Sequence, residues 1–273
     1  MGIILDFTGK DKCEKTIRQT WHSFTISLAN KKYKYNEVSK ALSDTFLYVF
    51  DELFQDTSMR VLLSTTLSDL SDKNTELCRG AKLKPLEKVN YDRFIPKSEF
   101  INEDNRFSPK GVEWLYLAIG NPISAIPNIE NCCIQECRVE DNDRVGLCHF
   151  AISNKHLDKK IVDLTISDEV SFDKLNINFA TNLKQSNLEY ETKKWITFTY
   201  AKLMSENIFL PLETDDKELI YAPFQCLAQY FISKGYSGII YKSTVCNGGK
   251  NIVLFDKLLA SPTGKIKDFI FKG

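Results

Sequence analysis

No apolar run in this chain approaches the eighteen or so residues needed to cross a bilayer, so a membrane-spanning helix is not expected. The amino terminus carries Asp6, Lys10, Asp11 and Lys12 where a signal peptide needs an uninterrupted apolar stretch. Together these absences predict a cytoplasmic protein that does not engage a membrane. Net charge is missing too, since 36 Lys and Arg balance 36 Asp and Glu. No overall field then draws the molecule to nucleic acid or anionic lipid, and a small molecule or a protein is the favoured partner. The aromatic residues lie scattered without a basic stripe beside them, which argues further against nucleic acid.

Eight cysteines are too sparse for a disulfide scaffold in 273 residues, and most are expected to be small buried hydrophobes. Cys132, Cys133, Cys137, Cys148 and His149 cluster in sequence, but no Cys-x-x-Cys pair occurs among them. Cys148 and His149 point to opposite faces of a strand, so no metal site is expected. No local signature joins a cysteine to His22, His149 or His156 as nucleophile and base. Gly248-Gly249-Lys250 lacks the spacing of a phosphate-binding loop and reads as a hairpin turn.

What the chain does contain is a core-forming composition, 43% hydrophobic, and two textures. Over the first seventy or so residues, Ile17, Trp21, Phe24 and Leu28 fall on one helical stripe, and Val38, Leu42, Val49 and Leu53 on a second. Asn36 and Glu37 suit the start of that second helix. From about Glu76 short apolar segments alternate with Gly, Pro, Asn and Asp. Val112 to Ala118, Gly146 to Ile152, Ile161 to Ile166 and Leu175 to Phe179 read as strands. A helix is expected around Thr192 to Met204, and another from Pro223 to Gly235. Ile239 to Tyr241 and Ile252 to Phe255 read as an antiparallel hairpin closed by Asn247-Gly248-Gly249. The division is a helical amino-terminal extension, residues 1–72, and a catalytic domain, residues 73–273. The helical pair is expected to pack on that domain or to form a homodimer face.

Two segments carry chemistry. Arg106-Phe107-Ser108-Pro109-Lys110-Gly111 sets an arginine, which binds phosphate in bidentate fashion, before a turn and a strand bearing Tyr116. Far downstream, Gly238 to Ser243 is followed by Asn251-Ile252-Val253-Leu254-Phe255. The pair, in this order, resembles the RES family, named for its arginine, glutamate and serine, over roughly Glu76 to Asp256. Position by position, Arg79 in Leu77-Cys78-Arg79-Gly80 is similar to the arginine of the family's opening strand, and Arg106 to the arginine before its turn. Tyr116 is similar to the tyrosine of its Leu-Tyr-Leu-Ala strand, Glu136 to its glutamate, and Ser243 to its final serine. Two departures stand out. Cys78 replaces an aromatic residue, and nineteen residues separate Tyr116 from Glu136, with Asn121-Pro122 and Ile126-Pro127 suggesting an inserted loop. Glu130 lies nearer and competes with Glu136 for the role.

The resemblance implies an α+β, ADP-ribosyltransferase-like fold and a site built from Arg79, Arg106, Tyr116, Glu136 and Ser243. It implies an enzyme that takes NAD as substrate, with no resident cofactor or metal, and cleaves the nicotinamide–ribose bond as a glycohydrolase or phosphorolase. Such proteins commonly act as toxins restrained by an antitoxin or another regulatory protein. The same chemistry suits transfer of ADP-ribose to a macromolecule, and a non-catalytic nucleotide- or protein-binding scaffold is the reading from another class. Nicotinamide departs neutral and needs no general acid. One carboxylate facing the positive charge that grows on the sugar therefore suffices.

Overall fold

The computed structural model describes residues 10–120, 128–167, 171–182, 187–209 and 217–272. Its helices are α1 (Lys10–Ala29), α2 (Val38–Ala41), α3 (Thr45–Gln55), α4 (Thr57–Leu62), α5 (Leu67–Asp72), α6 (Ile129–Glu136), α7 (Phe172–Asn182), α8 (Leu188–Phe209) and α9 (Lys217–Ser233). The strands are β1 (Ser64–Thr66), β2 (Glu76–Leu83), β3 (Leu115–Gly120), β4 (Arg144–Ile152), β5 (Lys160–Asp163), β6 (Tyr236–Lys242), β7 (Lys250–Leu254) and β8 (Ala260–Ile270). They form one mixed sheet in the order β1-β5-β6-β7-β3-β2-β4-β8. Its only parallel pair among the described residues is β5 with β6. This is an α+β architecture with a helical amino-terminal region. No helix among the described residues is long and apolar enough to cross a membrane.

The strands alternate their side chains between two buried layers. Along β6 and β7, Ile239, Tyr241 and Val253 join the aromatic core beneath α1, α3, α8 and α9, while Ile240, Ile252 and Leu254 join a second core on the opposite face. The α1 stripe of Ile17, Trp21, Phe24 and Leu28 is buried in the first of these cores. A third, smaller cluster lies where α6 covers β2, β3 and β4, and it contains Cys78, Cys132, Cys133 and Cys246. Gly80 permits that close cover, because a Cβ there would lie 2.9 Å from Cys137 Sγ and 3.1 Å from the Cys133 carbonyl oxygen.

Several elements differ from the sequence expectation. Leu175 to Phe179 is helical, part of α7, although its apolar positions alternate with polar ones. Leu175 and Phe179 are also four apart, so a helix aligns both on one face. Phe179 meets Trp195 at 5.6 Å, and Ile177 is left exposed. Pro223 lies inside α9 rather than in its first turn, so the helix forgoes one backbone hydrogen bond there. The stripe from Val38 to Leu53 is broken between α2 and α3. Buried Asp44 turns away from its own helix there and accepts from Ser27 Oγ at 2.9 Å. β3 begins at Leu115, three residues later than expected, after turn bonds from Val112 N to the Pro109 oxygen and from Trp114 N to the Val112 oxygen. β5 gives way after Asp163 to a 3-10 turn over Leu164–Ser167. The loop containing Asn121-Pro122 and Ile126-Pro127 lies outside the described residues.

The carboxyl-terminal hairpin forms as expected, with Tyr241 opposite Asn251 and Gly248 at φ 74° in its turn. Gly235, at φ 81°, follows the end of α9.

Candidate active site

The site lies where the sheet opens. β2 pairs with β3 from Glu76 to Cys78 but follows β4 on to Leu83, so the partners of β2 and β3 diverge past the pair Cys78 and Ala118. A cavity of about 410 Å3 occupies this opening, lined by residues from both strands and from α6, β6 and β7. That volume lies within the range of small-molecule sites, about 300–1,000 Å3.

The floor follows from sheet register. Ala118, Asn251 and Tyr241 are direct neighbours across β3, β7 and β6, and all three line the cavity. Tyr116 lies two residues from Ala118 and so faces the same side. Its hydroxyl shares a hydrogen bond of 2.9 Å with Ser108 Oγ. Burial pushes the Tyr116 and Tyr241 phenols well above the usual range.

The loop bearing Arg106 is anchored by its neighbours. Phe107 and Ser108 are fully buried, and the Phe107 ring meets Tyr241 edge-on at 4.9 Å. Asn105 N donates to the Ser108 carbonyl oxygen at 2.8 Å, closing the turn. Gln225 Nε2, from α9, donates to the Asn105 carbonyl oxygen at 3.3 Å. Arg106 thus projects into the cavity between fixed residues, with its guanidinium carbon 5.9 Å from the ring centres of both Tyr221 and Phe224.

Arg79 reaches the cavity from β2. Its Nη1 is buried and has no hydrogen-bond partner among the described residues. Loss of hydration pushes its pKa down to about 10, against the opposing influence of Cys137 and Cys133. A guanidinium nitrogen buried with its donors unused is an unfavourable arrangement that an anionic ligand would relieve.

Glu136 ends α6 above this floor. Its Oε1 accepts from Ser243 Oγ at 2.6 Å and from Asn251 Nδ2 at 2.5 Å. Ser243 Oγ itself accepts from Cys246 N at 2.9 Å and Val245 N at 3.3 Å, so the serine closes the hairpin turn and holds the glutamate together. Glu130, the competing carboxylate, is engaged elsewhere: it accepts from Lys267 Nζ at 2.6 Å and pairs with His149 at 3.0 Å. Glu130 does not line the cavity. The structure therefore brings Arg79, Arg106, Tyr116 and Glu136 around one cavity, with Ser243 directly behind Glu136.

A covalent link reinforces this wall. Cys132, one helical turn before Glu136, forms a disulfide with Cys246, three residues after Ser243. Five of the six free cysteines are buried, and Cys137, half-buried at the cavity edge, has a thiol that burial pushes up to about 11. Among the described residues no three His, Cys, Asp or Glu side chains gather as metal ligands.

Sequence reasoning missed Asn251, Tyr241 and the Cys132–Cys246 pair. A signal existed for the first, since asparagine is disfavoured at the start of an apolar strand unless its amide is used.

The family model of the RES domain matches residues 93–271. The chain belongs to the RES domain family. The matched span of the RES domain contains Arg106, Tyr116, Glu136, Ser243 and Asn251, whereas Arg79 lies before it. RES domains are associated with NAD-related toxin activity. No curated protein and no solved structure shows a significant match to the chain.

Proposed function

We propose that this RES protein consumes NAD by cleaving the bond between nicotinamide and ribose, with Glu136 as the carboxylate that acts on the ribose. One observation carries the reading. A carboxylate fixed through one oxygen by Ser243 and Asn251 stands in the same cavity as an arginine whose buried nitrogen has no hydrogen-bond partner among the described residues. The first supplies negative charge for a developing oxocarbenium ion, and the second requires an anion. Arg79 and Arg106 grip the pyrophosphate, Tyr116 and Tyr241 border the nicotinamide ribose, and Ser243 acts through Glu136.

In the reaction the C–N bond to nicotinamide breaks, its electron pair leaves with neutral nicotinamide, and positive charge grows on the ribose. Glu136 stabilises that charge and orients water, whose oxygen bonds to the anomeric carbon while its proton passes to the carboxylate and then to solvent. The products are ADP-ribose and nicotinamide. NAD is the substrate, and no resident cofactor is invoked. An enzyme that depletes NAD endangers its own cell, so the family's association with toxins supports restraint by an antitoxin or another regulatory protein.

The test is an assay with NAD labelled separately in its nicotinamide and ADP-ribose halves, with and without phosphate. Free nicotinamide with free ADP-ribose supports hydrolysis, and a phosphorylated ADP-ribose supports phosphorolysis. Label retained on macromolecules identifies the protein as a transferase, and intact NAD under every condition refutes the reading.

A further inference from the structure

We infer that Asn251 is a positioning residue for Glu136, an inference that rests on the function proposed above. Asn251 is 5% exposed and lies within the ladder, opposite Ala118 of β3 and Tyr241 of β6. A buried amide in that place adds nothing to the hairpin core, which Ile252, Val253 and Leu254 supply, each fully buried. Its side chain is used on Glu136 instead, through the Nδ2 to Oε1 bond of 2.5 Å.

Counting donors shows why two residues are needed. Ser243 has one hydroxyl proton, and its oxygen already accepts from the backbone at Val245 and Cys246, so that proton is aimed at Glu136. A single donor still lets a carboxylate swing about the bond. Asn251 supplies a second donor to the same oxygen from a different strand, and two fixed points determine the plane of the group. Oε2 accepts no hydrogen bond among the described residues. Of the two carboxylate oxygens it is the one free to meet the ribose. The amide orientation follows as well, since the opposite flip would set the Asn251 carbonyl oxygen against Oε1.

The test compares wild type with Asn251→Ala and the isosteric Asn251→Asp, by steady-state kinetics on NAD, thermal melting and crystal structures of wild type and Asn251→Ala. A positioning role predicts kcat lowered by about 10- to 100-fold. KM should stay within about threefold, because ground-state binding is untouched. Asn251→Asp, which places a second carboxylate against Oε1, should lose at least as much activity as Asn251→Ala. In a Glu136→Gln background Asn251→Ala should cost little further. The structure of Asn251→Ala should show the Glu136 carboxylate rotated or spread over several rotamers.

Unchanged kcat in an active wild type would overturn the inference, and so would a raised KM with kcat intact, which would put Asn251 on the substrate. A Glu136 carboxylate unmoved in Asn251→Ala would overturn it whether or not NAD is cleaved. Absence of nicotinamide release from wild type would instead refute the proposed function and leave the structural comparison to decide the role of Asn251.

Discussion

Arg79 is the residue at which stability and function oppose one another. Its buried Nη1, which has no hydrogen-bond partner among the described residues, disfavours the unliganded fold, and its pKa lies below that of an ordinary arginine. The unfolded chain therefore binds that proton more tightly than the folded one. The penalty is in full force below about pH 10 and fades as pH rises from there toward the range of an ordinary arginine. Arg79→Met keeps most of the volume and removes the charge. It should raise the unfolding free energy by about 1–3 kcal/mol in denaturant titrations while weakening NAD binding by calorimetry at least about tenfold. A loss of stability in that variant would show that Arg79 has a structural partner. Glu136 and Ser243 were legible in the sequence because the resemblance marks them. Asn251 was not legible as their partner, since only strand register sets it beside a helix end more than a hundred residues earlier in the chain.

Elements were legible where local chemistry determines them. The β6–β7 hairpin follows from apolar runs and Gly248, and close strand approach explains Gly238, where a Cβ would stand 2.5 Å from the Val253 carbonyl oxygen. Gly238→Ala should cost about 1–3 kcal/mol by thermal or denaturant melting, because the adjacent strand must move. α7 was not legible, since five alternating residues suit one face of a strand as well as positions four apart on a helix. The α6 wall was hidden for another reason: its bond to the hairpin joins cysteines separated by 114 positions. A loop of that size gives about 5 kcal/mol of stabilisation in the chain-entropy account. Combining Cys132→Ala with Cys246→Ala should lower the unfolding free energy by about 2–5 kcal/mol under non-reducing conditions. Equal stability of the two proteins there would show the link absent in solution.

Across the whole molecule, the α+β class was expected from the resemblance and the change of texture near Glu76 marked where strands take over, but the strand order was not legible. The sheet places β3 between β7 and β2, and such pairings depend on packing between distant segments rather than on local pattern. The amino-terminal helices share one aromatic core with the sheet: Phe24 is fully buried and stacks on Phe46 at 5.5 Å, in the same cluster as Tyr200, Phe231 and Tyr241. Phe24→Ala should therefore lower the stability of the entire chain by about 3–5 kcal/mol, within a single cooperative transition. A melt in which only the helical signal shifts, and the sheet unfolds as in wild type, would contradict this.

The role of Glu136 is tested by the rate of nicotinamide release from saturating NAD by Glu136→Gln beside wild type. The substitution keeps the shape of the side chain and removes its negative charge. The rate should fall by at least about 100-fold while NAD still binds. A Glu136→Gln enzyme that releases nicotinamide as fast as wild type would contradict the account.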